Sequence, residues 1–292
     1  MRLALLGLGL IGGSIARAAH AAGWHVAAWT PSGTGPQIAR EQGAIDVAAP
    51  ALRDALEGVD LLVLAAPPGA CFELLGALAG PDGAALRPAT VISDVASTKV
   101  VLAERAASLG LRYVGGHPMA GRETSGFAAG SVDLFRDRPW VVVPPPRGDE
   151  AGVAVVEELA RACGARPLRM TAIDHDAAVA AISHLPLVVA AALVEAVAGA
   201  PGAPVPAGWP AASALAASGW AGATRLARGD PAMGAGIAAT NARPLAAAVR
   251  AMRDRLDDWL VLLDARAGEE LADEEALRER FATARARLEG GG

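Results

Sequence analysis

Residues 7–14 read Gly-Leu-Gly-Leu-Ile-Gly-Gly-Ser, and this stretch decides the fold of the chain. An apolar run from Arg2 to Leu6 precedes it and predicts a buried parallel strand, and a helical pattern follows from Ile15 to Ala22. A Gly-x-Gly-x-x-Gly pattern between a strand and a helix is the fingerprint of dinucleotide binding, in which helix N-terminal amides face the pyrophosphate. The cofactor residues predicted here are Gly7 for the turn, Gly9 for close approach, Gly12 for helix packing, and the neighbouring Leu10 and Ile11.

The next predicted strand, His25 to Thr30, should end at the adenosine ribose. Enzymes that use NAD usually carry an acid there, which accepts from the ribose 2′-hydroxyl. This chain instead has Thr-Pro-Ser-Gly-Thr at 30–34, so Thr30 and Ser32 are predicted to bind the cofactor. Hydroxyls can donate to a 2′-phosphate that a carboxylate would repel. NADP is therefore favoured over NAD, although Arg40 on the following helix is the nearest arginine and NAD stays open.

Strands predicted at Leu61 to Ala66 and at Thr90 to Val95 alternate with helices, which indicates a Rossmann-like, doubly wound parallel sheet. Ligands of such sheets bind beyond the carboxyl ends of the strands. Ala66 and Pro67 are therefore predicted at the cofactor, and Ser97 is predicted to face the same cleft. The alternative for Ser97 is that it only caps the next helix.

A short strand predicted from Leu111 to Val114 runs into Gly-Gly-His-Pro-Met-Ala-Gly at 115–121. The two glycines allow a sharp turn, and the His-Pro pair keeps His117 out of a helix. A histidine placed in this way is suited to be a general base. A solvated loop histidine is the other interpretation of the stretch taken alone.

From Ala172 onward the pattern contains helices and no clear strand, which predicts a Rossmann domain over 1–171 and an all-helical dimerisation domain over 172–292. The segment Asp174 to Val197 is too apolar for a solvated helix, so we expect it to be buried in a homodimer interface. Final helices are predicted at Ala246 to Leu263 and Glu269 to Leu288, and their charges indicate a solvated face.

Composition excludes several classes of protein. A net charge of −5 in 292 residues argues against nucleic-acid binding. Cys71 and Cys163 form neither a disulfide framework nor a metal-ligand pattern, so no metal site is predicted and a cytoplasmic protein is expected. Glycines, prolines and charges interrupt every apolar stretch, and we therefore expect no segment that spans a membrane.

Taken together, these motifs resemble the prephenate/arogenate dehydrogenase family of tyrosine biosynthesis. Besides the glycine loop, the matching stretches are Asp-Val-Ala-Ser-Thr-Lys at 94–99, Gly-Gly-His-Pro-Met-Ala-Gly at 115–121, Asp-His-Asp at 174–176, Ser-His-Leu-Pro at 183–186, Thr-Arg at 224–225 and Gly-Asp-Pro at 229–231. The matches run nearly from end to end. Their spaced combination is much more specific than the glycine loop alone.

The resemblance implies oxidation of a cyclohexadienol that carries a ring carboxylate, with hydride passing to the nicotinamide and CO2 leaving as the ring becomes aromatic. It implies that His117 accepts the proton of the substrate hydroxyl and that Ser97 bridges this histidine and the nicotinamide. Arg225 would hold a substrate carboxylate, with a structural ion pair as its alternative. His184 is expected to be a hydrogen-bonded residue at a helix start, with a catalytic role as the alternative. Gly121, which ends the histidine motif, is also predicted at the substrate.

Three positions resemble the arogenate branch of the family. Leu187 stands where prephenate-preferring relatives often have a second histidine, and Met233-Gly234 stands where many relatives have a tryptophan after Asp-Pro. Asn241 resembles that branch as well. The sequence leaves open how the enzyme divides its activity between arogenate and prephenate. Two other functions also stay open: a β-hydroxyacid-type dehydrogenase, against which the lack of any lysine after residue 171 argues, and a non-catalytic NADP-binding sensor.

Overall fold

The computed structural model describes residues 1–122, 124, 126–264 and 273–290. It contains two compact units, Met1–Ala242 and Arg243–Gly292. The strands are β1 (Arg2–Leu6), β2 (His25–Trp29), β3 (Val47–Ala48), β4 (Leu61–Leu64), β5 (Val91–Asp94), β6 (Gly115–Pro118), β7 (Pro139–Val143) and β8 (Arg166–Arg169). The helices are α1 (Leu10–Ala21), α2 (Thr34–Glu41), α3 (Leu52–Ala55), α4 (Pro68–Leu78), α5 (Val100–Ser108), α6 (Glu150–Ala162), α7 (Ala172–Val179), α8 (Leu185–Ala198), α9 (Trp209–Ala214), α10 (Ser218–Ala223), α11 (Pro231–Thr240), α12 (Ala242–Asp264) and α13 (Glu274–Glu289).

Five parallel strands in the order β3-β2-β1-β4-β5 form the main sheet of the first unit. Its central strands β1 and β4 are almost entirely buried, because apolar side chains cover both faces. Two apolar clusters lie on these faces; one includes residues of α1 and α6, and the other includes residues of α4 and α5. The predicted Rossmann-like fold with a helical second part is confirmed.

A second sheet has the order β6-β7-β8, with β6 antiparallel to β7 and β7 parallel to β8. The strand predicted at Leu111 to Val114 is wrong: Tyr113 forms only an isolated bridge with Ile92, and the strand begins at Gly115. A side chain at Gly116 would collide with the carbonyl oxygen of Asp94 and would come within 3.2 Å of the Trp140 indole nitrogen. The glycines therefore let β6 pass close over β5, and they do not form the predicted turn.

The apolar segment predicted as one helix is a continuous helical run over Ala172–Ala198 that changes its winding in the middle. Helix α7 passes into a π-helical turn, Ala180–His184, before α8 begins. Pro186 lies in the first turn of α8 and lacks an N–H, and a π turn is one way in which a helix accommodates such an interruption.

This 27-residue run also corrects the expectation that no segment is long and apolar enough to cross a membrane. By length and composition the run qualifies, with a mean hydropathy of 2.2 in its most apolar window, of which 22% is buried. The proline that was expected to break it stands at a helix start, where proline is tolerated. Ile173 and Ile182 are 73% and 70% exposed in the single chain, so the run leaves apolar surface uncovered.

The second unit consists of helices that follow Ala242. Both predicted terminal helices are present, although the predicted start at Glu269 lies outside the described residues. The Trp259 and Phe281 rings pack at a tilt with their centroids 4.9 Å apart, and the Arg280 guanidinium lies 4.8 Å from the centre of the Trp259 ring. Ion pairs such as Arg278–Glu274 fit the solvated face that the sequence predicts. The domain boundary predicted near residue 171 stays a prediction.

Candidate active site

The glycine loop between β1 and α1 forms an open cradle. Gly7 has a φ of +112°, and a side chain there would collide with the carbonyl oxygen of Ala65. A side chain at Gly12 would strike the carbonyl oxygen of Gly7, whereas open space surrounds the missing side chain of Gly9. Helix α1 starts at Leu10 with no side-chain cap and no acid in its first turn. Its first amides are therefore suited to an anion such as a pyrophosphate.

The second half of the same motif has a structural role that the sequence analysis missed. A side chain at Gly13 would lie 2.8 Å from the Phe127 ring, which explains the glycine. The Ser14 hydroxyl donates to the Leu10 carbonyl at 2.7 Å and accepts from the Ser131 amide at 3.0 Å. The motif thus also holds the segment that includes Phe127 and Ser131 against the start of α1.

The end of β2 provides a direct test of whether a cofactor ribose fits. Among the described residues, the Thr30 hydroxyl oxygen is buried and has no hydrogen-bond partner. Ser32 is exposed two residues farther on. A buried hydroxyl without a hydrogen-bond partner destabilises the folded protein. A ligand that places a hydroxyl or phosphate oxygen beside Thr30 would supply the missing partner. The residues present fit a dinucleotide.

Ala66 and Pro67 follow β4 at the same edge of the sheet as Gly7. The Ala66 carbonyl accepts a hydrogen bond from the buried Cys71 thiol at 3.2 Å, and Pro67 occupies the N-cap position of α4. Helix α11 lies against the start of α4, since a side chain at Gly236 would be 3.7 Å from the Pro68 ring. The helical part of the unit therefore packs beside the predicted cofactor loop.

Ser97 lies in the loop between β5 and α5 and is partly buried. It does not cap α5, so the alternative interpretation of this serine is wrong. The Asp176 carboxylate instead accepts from the amides of Lys99 and Val100, both at 2.8 Å. In the part of the chain that the structure describes, the Ser97 hydroxyl makes no hydrogen bond. The adjacent Thr98 hydroxyl contacts that of Thr240 at 2.9 Å and ties this loop to α11.

A buried charged cluster fixes the end of β5 against β6. Lys99 is fully buried and forms an ion pair with Asp94, which also accepts a hydrogen bond from the Tyr113 hydroxyl. Burial and the Asp94 charge raise the pKa of Tyr113 well above its ordinary value. The Gly116 amide lies 3.4 Å from the same carboxylate. Sequence reasoning matched Asp94 and Lys99 to a motif but did not predict that they pair.

His117 lies within β6, partly buried, with its Nδ1 atom 2.8 Å from Nε2 of His175. The two rings meet edge to face with their centroids 5.1 Å apart. Desolvation lowers the pKa of His117 well below the ordinary 6.5, and the positive charge of Lys99 lowers it further. His117 is therefore neutral at pH 7, as a general base must be. It is not a solvated loop histidine.

Behind His117 lies a buried network that ends at Asp176. His175 Nδ1 is 2.8 Å from the Asp176 carboxylate, and both residues are about 1% exposed. Asn241 donates to the Asp176 carbonyl at 2.9 Å, and the same amide nitrogen lies 3.0 Å from Nδ1 of His184. Burial lowers the pKa of His184, whose Nε2 atom has no partner among the described residues.

The residues predicted to contact substrate lie in several elements of the first unit. Arg225 begins a short 3-10 turn, Arg225–Arg228, which contacts α8. Leu187 is in the first turn of α8, and its Cδ2 atom would be 3.7 Å from a side chain at Gly234 in α11. Gly121 is exposed beyond β6 and lines a polar surface cavity with Arg122 and Arg138. The structure brings Leu187 and Gly234 together; the substrate roles of all four residues stay predictions.

Comparison with known proteins places this geometry in one family. Residues 15–168 match the family model of the prephenate dehydrogenase nucleotide-binding domain, and residues 171–279 match that of the prephenate dehydrogenase dimerization domain. Prephenate dehydrogenase of Bacillus subtilis is 31% identical over 96% of this chain and 73% of its own length. Cyclohexadienyl dehydrogenase of Zymomonas mobilis is 31% identical over 68% of this chain and 67% of its own length.

A solved structure extends the comparison to the whole chain. Arogenate dehydrogenase of Synechocystis is 29% identical with a TM-score of 0.76, covering 99% of this chain and all of that one. The relatives are dehydrogenases named for different substrates, so they support a nicotinamide-dependent dehydrogenase without deciding between arogenate and prephenate. This chain belongs to the prephenate dehydrogenase family.

Proposed function

We propose that this protein catalyses the oxidative decarboxylation of arogenate, with prephenate as its lesser substrate and NADP as its cofactor. One observation supports this type of reaction. His117 is held neutral beside the end of the parallel sheet, and its Nδ1 atom is 2.8 Å from Nε2 of His175. Its remaining ring nitrogen is thus available for a substrate proton. A base in this position typically contributes about 10²–10⁴-fold to a rate.

In the proposed reaction, His117 removes the proton from the ring hydroxyl of the substrate. A nicotinamide cofactor held at the glycine loop would supply the acceptor for the hydride of the same carbon, and the loss of CO2 makes the ring aromatic. Ser97, whose hydroxyl makes no bond within the described residues, orients His117 and the cofactor. Arg225 binds a substrate carboxylate, for which a guanidinium has the matching planar geometry.

Leu187 and Gly234 support arogenate as the preferred substrate. Arogenate carries an ammonium group where prephenate carries a keto group. Leu187 lies beside Gly234, and neither residue has an imidazole that could donate to a keto oxygen.

The end of β2 supports NADP. No acid follows the strand, and Thr30 presents an unpaired buried hydroxyl there. A carboxylate would accept from the 2′-hydroxyl of NAD and repel the 2′-phosphate of NADP. Hydroxyls and loop amides can donate to that phosphate.

We also propose that the protein is a homodimer in the cytoplasm. The apolar run Ala172–Ala198 leaves Ile173 and Ile182 exposed in the single chain, and the segment that contains it matches a dimerization domain. Association of two copies would remove this surface from water. Cys71 and Cys163 are both unpaired and buried, as is common in a reducing compartment.

The test is the appearance of reduced cofactor with each of four pairs: arogenate or prephenate, with NAD or NADP. The proposal expects the highest kcat/KM with arogenate and NADP. Prephenate with NAD as the best pair would overturn both specificity assignments while retaining the reaction. No turnover with any pair, with cofactor binding intact, would refute the activity and favour the sensor function.

A further inference from the structure

The strongest unassigned feature is the buried chain of side chains that joins His117, His175 and Asp176. Successive ring and carboxylate atoms are 2.8 Å apart at both links. His175 is 1% exposed and makes both contacts from the second turn of the helical run, 58 residues after His117. The proposed mechanism uses His117 and leaves the other two residues without a role.

The direction of each hydrogen bond follows from the bonds that the Asp176 carboxylate accepts. Its carboxylate accepts from the amides of Lys99 and Val100 at the start of α5. A carboxylate has no proton to donate and can only accept. Nδ1 of His175 must therefore donate to Asp176. In a neutral His175, this leaves Nε2 without a proton.

The bare Nε2 of His175 can only accept, so Nδ1 of His117 must carry the proton that joins them. A neutral His117 with its proton on Nδ1 has its lone pair on Nε2. The opposite tautomer would place two lone pairs against each other at 2.8 Å. A doubly protonated His175 would reverse the bond and leave Nε2 of His117 unable to accept a proton.

The geometry points to His175 as a positioning residue that, together with Asp176, selects the tautomer of His117 and thereby makes its Nε2 atom the proton acceptor. This inference rests on the proposed function for its catalytic consequence. In the reacting complex the O–H bond of the substrate breaks and an N–H bond forms at Nε2 of His117. The resulting imidazolium is then stabilised through His175 by the Asp176 charge, and no proton needs to move along the chain.

The direct test is the 15N NMR spectrum of histidine-labelled holoenzyme, in which bare and protonated ring nitrogens have distinct shifts. The chain has five histidines, and the signals that disappear in His117→Asn identify His117. We expect a protonated Nδ1 and a bare Nε2 in the wild type. In His175→Phe, which keeps an aromatic ring but removes the acceptor, the proton should redistribute toward Nε2.

Kinetics provide the second readout. His175→Phe should lower kcat by about 10- to 100-fold, while KM for substrate and cofactor affinity change by less than about threefold, because the residue contacts neither. His175→Gln, whose amide can donate to Asp176 and present an oxygen to His117, should recover part of kcat. A general loss of packing would raise KM, lower the melting temperature in both variants, and leave the tautomer unchanged.

A wild-type His117 with its proton on Nε2 would overturn the inference, and the only variant this measurement needs is His117→Asn, for assignment of the signals. An unchanged tautomer and kcat in His175→Phe would also overturn it. Failure of the proposed function is distinguishable, because it would appear as absent turnover in the wild type whatever the NMR spectrum shows.

Discussion

Leu187 of α8 and Gly234 of α11 face each other, with the leucine Cδ2 atom 3.7 Å from the position of a side chain on the glycine. They are 47 residues apart in the sequence, and the packing of two helices makes them one patch. Each was predicted separately as a position that affects substrate choice. Because a side chain at position 234 would contact Leu187, a change at either one alters the same surface.

Leu187→His should shift substrate preference toward prephenate. An imidazole N–H can donate to the keto oxygen of prephenate, whereas the ammonium group of arogenate is itself a donor. The ratio of kcat/KM for prephenate to that for arogenate should rise by about tenfold, since one hydrogen bond is worth roughly 1 kcal/mol or more. Leu187→Met, which keeps an apolar side chain of similar volume, is the control and should leave the ratio within about twofold. A ratio that stays constant or moves toward arogenate in the histidine variant would show that this patch does not contact the part of the substrate that differs.

His117→Asn should lower kcat by about 10²–10⁴-fold, because the amide occupies similar space but cannot accept the substrate proton. Dissociation constants for the cofactor should stay within about threefold, since His117 lies outside the glycine loop. Stopped-flow measurement of the hydride-transfer step separates this loss from slow product release. Retained turnover would eliminate His117 as the base.

The pH dependence of kcat/KM should report the lowered pKa of His117. Desolvation first, and then the Lys99 charge, disfavour the imidazolium form. Activity requires the neutral ring, so it is present above the pKa of His117 and is lost as the pH falls through it. Because that pKa lies well below the ordinary 6.5, kcat/KM should stay level as the pH falls past 6.5 and decline only in more acidic buffer. A decline centred at or above 6.5, with the fold intact by circular dichroism, would contradict this assignment.

Much of the fold follows from local patterns in the sequence. Apolar runs such as Arg2–Leu6 and Leu61–Leu64 are buried on both faces of a parallel sheet, so composition alone marks them as strands. The glycine loop adds a steric signal, because a side chain at Gly7 or Gly12 would collide with a backbone carbonyl oxygen. Strand β6 was misplaced because its Gly-Gly-His-Pro sequence carries no strand signal. It pairs with β7, and its glycines allow a close approach to Asp94 at the end of β5; both are tertiary contacts.

The site was predicted only in part, and for a related reason. His117 and Asp176 both stand in recognisable motifs, but their link through His175 depends on the packing of α7 against the start of α5. The sequence likewise did not predict the buried ion pair of Lys99 and Asp94. A separation of five residues in the sequence does not distinguish a buried ion pair from two surface charges. A motif identifies which residue types are present. The direction of each hydrogen bond requires the three-dimensional partners.

Gly9→Ala and Gly12→Ala should separate cofactor binding from stability. Gly9 has a φ of −78°, which any residue can adopt, and its missing side chain faces open space. We expect Gly9→Ala to keep the melting temperature of the cofactor-free protein and to weaken cofactor binding at least tenfold, because the new methyl group occupies the space predicted for the pyrophosphate.

Gly12→Ala forces a methyl group against the carbonyl oxygen of Gly7 in the buried face of α1. Overpacking of this kind typically costs about 1–3 kcal/mol, so this variant should unfold at a lower temperature even without cofactor. Thermal melts and cofactor titrations of both variants provide the measurement. Unchanged affinity in Gly9→Ala would show that the cofactor does not lie over this loop.

Thr30→Asp should reverse the cofactor preference. The carboxylate would stand directly after β2, where it can accept from the 2′-hydroxyl of NAD and would repel the 2′-phosphate of NADP. The ratio of kcat/KM for NAD to that for NADP should rise by at least about tenfold. Thr30→Ser is the matched control, since it keeps the hydroxyl that has no partner in the described part of the chain, and it should preserve the wild-type ratio. If Thr30→Asp lowers kcat/KM for both cofactors equally, the hydroxyl fills a structural gap instead, and the ribose phosphate must be bound by another part of the loop.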